Sequence, residues 1–206
     1  MQHSTNRELF HYWNALRSDR PAPLRPEFEP SAIGNIIGSI FMLEVTCTIA
    51  AIRLAGGNIC GMFGEELRGK AFAKLWLNGV DRKPSTIANR CIEDTTPYLL
   101  RADGLTRAGS ISELELLIVP LMGTGNQSDR VVGSLADLDQ NDPFVKKHII
   151  GMSLTSIRAI DRDTIPVTFD NGQRANPAKM RKTITKPQKT GRKKHHLHVI
   201  DGGINT

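Results

Sequence analysis

A chain of 206 residues that is 39% hydrophobic and 23% charged, with 11 prolines and 3 cysteines, is built like one globular domain with some tail, and is neither collagen-like, disulfide-dense nor wholly disordered. Its formal charge of +6 is unevenly spread: residues 1–173 hold 18 Lys+Arg against 20 Asp+Glu, and residues 174–206 hold 9 against 1. The near-neutral body therefore offers no nucleic-acid footprint, whereas the tail carries a local positive field.

Leu9, Tyr12, Trp13 and Leu16 recur at helical spacing in RELFHYWNALRSDR, which predicts an amphipathic N-terminal helix. The following RPAPLRPEFEPS cannot stay helical, because its four prolines remove donors and fix φ, so residues 1–30 read as a helical cap with a stiff connector. Ser31 sits where an N-cap would, ahead of a short apolar turn (Ile33, Ile36, Ile37) that Gly38 can end. From Phe41 the period becomes two, predicting two short antiparallel strands with a turn near Cys47, and Arg53 placed to pair with Glu44. Ile59, Met62, Phe63 and Leu67 return to helical spacing between Gly56 and Gly69. Phe72, Leu75 and Trp76 make a short helical turn, and Ile87, Ala88, Cys91 and Ile92 share one face of a helix opened by Pro84. Strand signals resume at Tyr98–Ala102, with Asp103-Gly104 as a turn, and in SISELELLIVPL, which Pro120 closes. The loop GTGNQSD joins it to RVVGSLADLD as a hairpin, and residues 149–160 are apolar enough for one more strand or a docked segment. These local pairings predict an α+β domain, one antiparallel sheet covered on one face by the middle helices.

Two blocks carry a family pattern: AIRLAGGNICGMFGEELRGKAFAKLW, with Arg53-Leu54-Ala55-Gly56, Phe63-Gly64, Leu67-x-Gly69 and Leu75-Trp76, and ELELLIVPLMGTGNQSDRVVGSLADLD. Together they resemble the PAS_5 family of bacterial PAS-like domains, over about residues 7 to 160. The resemblance implies a PAS-like five-stranded antiparallel sheet in the order 2-1-5-4-3, with short helices on one face. It also implies a sensory or protein-interaction role in bacterial signalling, and brings no shared catalytic residue. The turn TCTIA departs from the tight hairpin expected between the first two strands. The domain is placed at residues 31–160, followed by a basic tail, 161–206, expected to be disordered because it cannot bury enough apolar area to offset its ordering entropy.

A sheet and helix layer of this kind can enclose a ligand pocket, which singles out Phe72, Trp76, Leu100, Leu116 and Ile118 as lining; the competing reading is packed core. No cofactor is expected: a haem needs an axial ligand, yet no histidine falls between residues 12 and 147. Neither Cys60 nor Cys91 sits in a recognisable flavin-binding context, and three cysteines without CxxC spacing fit reduced structural thiols. The glycines at 56, 57, 61 and 64 form no phosphate loop, and Glu65-Glu66 are adjacent and so diverge on a helix. No histidine is placed to serve a Ser or Cys nucleophile, so no catalytic residue is assigned and the chain is not expected to be an enzyme. The HHxH of the tail is a poor metal site without carboxylate or thiol partners, and no metal ligand is assigned.

Leu9, Tyr12, Trp13 and Leu16 must cover apolar surface somewhere, which suggests a homodimer or an interface with another signalling protein. The expected function is therefore a non-catalytic sensory or regulatory protein working through protein contact or a small ligand. The alternative is a nucleic-acid or anionic-surface binder that works through Arg181, Lys182, Lys186, Lys189, Arg192, Lys193 and Lys194. Ile40–Phe63, the most apolar region, is broken by Glu44 and Arg53 and makes no membrane span. The opening MQHSTNRELF lacks an apolar block of signal-peptide length, so the expected location is the cytoplasm.

Overall fold

Six antiparallel strands form one sheet in the order β2-β1-β5-β4-β3-β6: β1 Ile40–Val45, β2 Ala50–Ala55, β3 Tyr98–Thr106, β4 Ile111–Met122, β5 Ser128–Asp137 and β6 Ile149–Ala159. The computed structural model describes residues 1–46, 49–77, 83–123, 128–139 and 148–161. All of these fall in Met1–Val167, one of the two units into which the chain divides. The predicted hairpin residues Cys47 and Thr48, most of the GTGNQSD loop, and the tail with its HHxH and basic residues lie outside them. The first five strands follow the expected order; β6 adds a sixth strand along the free edge of β3, from Thr106↔Ile149 to Tyr98↔Ala159.

Both faces of the sheet are covered, where the sequence suggested one. Along β4, Leu114, Leu116 and Ile118 enter a core shared with α2 (Gly57–Phe63), the turn Phe72–Leu75 and α3 (Lys83–Glu93). The intervening Leu117, Val119 and Leu121 enter a second core beneath α1 (Ser4–Arg17) and its connector, with Leu9, Phe10, Trp13 and Phe28. A strand apolar on both faces needs two layers to bury them. Trp13 is fixed as well as buried, its Nε1 donating to the Pro120 carbonyl at 2.7 Å.

Four local expectations are corrected. Strand β3 runs straight through Asp103-Gly104, and the turn comes at Gly109 (φ 82°). Gly104 serves as a gap in the sheet instead: a Cβ there would lie 2.8 Å from Leu114 Cδ1 and 2.9 Å from Ile149 Cδ1. Pro120 does not close β4, which continues to Met122. β3 pairs with β4 only as far as Ile118, so Pro120 pairs with Val131 of β5 and needs no donor on its other side. Helix α2 stops at Gly64, which takes the left-handed C-cap conformation (φ 70°). Leu67, Glu65 and Glu66 therefore lie beyond the helix, and Leu67 is buried from a loop. Ser31 lies inside the turn Pro30–Ile33 and does not cap it.

The glycine of the Arg53-Leu54-Ala55-Gly56 block has a steric reason. A Cβ on Gly56 would fall 2.3 Å from the Gly38 carbonyl oxygen and 2.4 Å from that of Ile37, which are backbone atoms with no freedom to swing aside. Gly56→Ala is expected to cost about 2 kcal/mol through this overlap, read as a lower urea midpoint at unchanged m value.

Candidate functional site

On the face that carries α2, the turn Phe72–Leu75 and α3, the sheet borders a small cavity. Phe41 and Ile52 of the first hairpin, Ile59, Leu67, the turn residues Phe72 and Leu75, and Leu116, Leu135 and Met152 of the sheet line it, together with Ala55. Its volume is about 10 Å³, the space of a single water, and its lining is wholly apolar. Phe72 anchors one wall, stacking on Phe41 at 5.7 Å and meeting Trp76 edge-on at 5.8 Å.

Of the residues singled out for a pocket, Phe72 and Leu116 line this cavity, while Trp76, Leu100 and Ile118 are buried in the same core without bordering it. Trp76 is 4% exposed, yet its Nε1 has no hydrogen-bond partner among the described residues. A haem or flavin does not fit: pockets for such groups run to roughly 300–1,000 Å³ and place polar partners around the ligand, and this lining has neither. Cys91 is wholly buried on α3, and burial first, then the nearby Asp94 carboxylate, pushes its thiol well above the usual range. Cys60 on α2 is half-buried, with Sγ 3.8 Å from the Ala55 carbonyl and from Glu66 Oε1.

The opposite face carries a polar cluster that the sequence reading missed. Glu115 of β4 is 0% exposed at its side chain. Its carboxylate accepts the backbone N–H groups of Gln2 and His3 at 3.0 Å and the Asn6 side-chain amide at 3.0 Å, and pairs with Arg101 of β3 at 3.2 Å. Asn6 also donates to the Glu115 carbonyl and accepts from Ser134 Oγ of β5 at 2.6 Å. Burial pushes the Glu115 carboxyl up, but the hydrogen bonds from Gln2, His3 and Asn6, with the terminal ammonium, outweigh it and hold the group below its usual value. Glu115 thus ties the first turn of α1 to the sheet, while Leu9, Phe10 and Trp13 pack the later turns. Leu9 and Trp13 are fully buried within the chain, and Tyr12 and Leu16 are half-buried at the rim. The apolar stripe that suggested a dimer or partner interface is therefore spent largely on the chain's own sheet. Glu115 reads in sequence as one more outward residue of an alternating strand; its only sequence signal is the unbroken apolar run that follows.

The expected Glu44–Arg53 pair is present across the first hairpin, and Arg130, opposite Glu44 on β5, joins it at 2.5 Å. Arg53 is exposed, so its pair with Glu44 is worth at most about 1 kcal/mol, whereas Arg130 and Glu44 are themselves largely covered. Among the described residues no group of three or more His, Cys, Asp or Glu side chains is placed to hold a metal ion, and no helix is long and apolar enough to cross a membrane.

A β2-β1-β5-β4-β3 antiparallel core whose face is closed by short helices defines a PAS-like sensory and signalling domain. The chain belongs to this family, since the PAS_5 model, a PAS domain, matches residues 1–136; β6 lies beyond the matched range. No curated protein matches. Among solved structures, the chain is similar to a light-oxygen-voltage domain studied with a flavin analogue (13% identity, TM-score 0.44, covering 54% of this chain and 84% of that one). It is also similar to a fungal light-oxygen-voltage photoreceptor (17%, TM-score 0.39, 48% and 74%) and to a Rhodobacter sphaeroides light-oxygen-voltage protein (12%, TM-score 0.41, 50% and 60%).

Proposed function

We propose that this chain is a non-catalytic, cytoplasmic regulatory protein of bacterial signalling, in which a small ligand entering the apolar cavity alters how α1 is presented to a second copy or another signalling protein. In this organisation residues 1–30 transmit, 31–160 sense, and 161–206 form a basic tail. One observation carries it: neighbouring residues of the same strands serve the cavity and the seat of α1 in turn. Leu116 and Leu135 line the cavity, while Glu115, Leu117 and Ser134 hold α1. Dense packing transmits displacement, so a ligand that spreads the cavity walls shifts these strands under the helix.

Xenon under pressure is an apolar probe larger than a single water, so its entry requires the cavity walls to spread. It is expected to move the methyl resonances of Leu116 and Leu135 and, with them, the amide resonances of Leu9 to Trp13. Methyl shifts without amide shifts would break the proposed coupling, and no shifts at all would remove the cavity from the function.

The charge of residues 174–206 favours a second reading, in which the tail contacts a polyanion. DNA retention by the full chain is then expected to fall steeply with salt and to vanish on truncation at residue 173. Equal retention by both chains sinks it.

A further inference from the structure

We propose that the seat of α1 is a proton-operated latch, in which protonation of His3 releases the first turn of the helix from the sheet. His3 is the N-cap of α1, and its Nδ1 accepts the Thr5 N–H at 3.2 Å. Only a neutral imidazole with a bare Nδ1 can make that bond. The imidazolium has no acceptor there and sets a positive charge against the positive end of the helix dipole. The same residue's backbone N–H donates to Glu115, so the cap and the buried anchor share one residue, and loosening the first loosens the second.

The charged groups around His3 act in both directions. Burial opposes a charge on the ring most strongly; Glu115 of β4 and, more weakly, Asp137 of β5 favour it, and Arg7 of α1 opposes it. Arg101 of β3 faces the other side of Glu115 and pairs with it, and Arg158 of β6 adds positive charge near the first residue. The balance holds the His3 pKa below its usual value. A pKa lower in the folded than in the unfolded state means the neutral form stabilises docking. That contribution is complete above about pH 6.5 and is lost as pH falls through the folded value. Glu115, itself held below the ordinary carboxylate range, stays ionised through this window, so His3 is the moving part and Glu115 the fixed one.

The latch goes beyond ligand sensing, because it needs α1 on its seat but nothing in the cavity. The test is amide hydrogen exchange of residues 5–13 in the full chain at pH 7.5 and 5.5, corrected for intrinsic rates. Exchange at the lower pH is expected to be about fivefold faster, the protection lost with an N-cap. His3→Asn, which caps without titrating, is expected to stay protected at both values, and His3→Ala to exchange fast at both. Equal pH responses in the natural chain and His3→Asn, or full protection in His3→Ala at pH 7.5, would overturn the latch. Because xenon is absent from this experiment, its outcome stands apart from that of the ligand proposal.

Discussion

Replacing Glu115 by alanine is expected to destabilise the protein by about 3 kcal/mol and to free α1 from the sheet. The substitution strips a fully buried acceptor from the Gln2 and His3 N–H groups and the Asn6 amide, and leaves Arg101 without its carboxylate. Breaking a buried charge-assisted cluster from one side leaves its partners desolvated and unpaired, which costs more than the net worth of the bonds. Urea denaturation reads the stability loss, and limited proteolysis ahead of Ser18 reads the freed helix. Glu115→Gln keeps one acceptor oxygen and is expected to fall between the two. The acid dependence has a definite sign: a carboxylate held below its usual pKa stabilises the folded state above the unfolded value, and this is lost as pH falls through the folded one. The gap between the natural chain and Glu115→Ala should therefore be full at pH 7 and shrink below about pH 4. A gap that persists undiminished to pH 2 would mean that packing, not charge, is what the carboxylate supplies.

Phe72→Ala is expected to cost about 4 kcal/mol, the usual loss when a buried aromatic is cut to a methyl in a dense core. Phe72 is 1% exposed and packs against both Phe41 and Trp76. Its removal also joins the space of a ring to the cavity, lined on the remaining sides by Ile52, Leu116, Leu135 and Met152. Benzene is expected to bind the variant and raise its Tm, since a ligand of the native state alone stabilises by mass action, while leaving the natural chain's Tm unchanged. A small loss of stability with no benzene response would show that the helix layer collapses into the gap and that the cavity walls are soft.

The contrast between these two sites shows how far the residues speak for themselves. Phe72 and Leu116 were legible because a short-period helix signal and an alternating strand each mark an inward face. Glu115 was not legible, because the alternation that puts Leu114 and Leu116 on one face puts Glu115 on the other, and nothing in a single strand says whether that other face is wet. The apolar run Leu116–Met122 was the available sign of a strand buried on both sides. The pairing of Glu115 with Arg101 follows from the β3–β4 register, Arg101↔Glu115, and its bond with Asn6 joins residues 109 positions apart. Asp103-Gly104 misled for a related reason: a turn dipeptide and a gap for neighbouring side chains ask for the same residue, and only the approach of Leu114 and Ile149 separates them.

Local periodicity determined most elements of this protein and the existence of an amphipathic N-terminal helix, because side-chain direction along a helix or strand is set by backbone geometry within a few residues, and the resemblance of two motif blocks gave its family. Tertiary structure alone decided what that helix covers, which acid is buried, and how small the cavity between sheet and helices is. Those depend on which distant strands become neighbours, and burial, unlike periodicity, is a property of the whole packed chain.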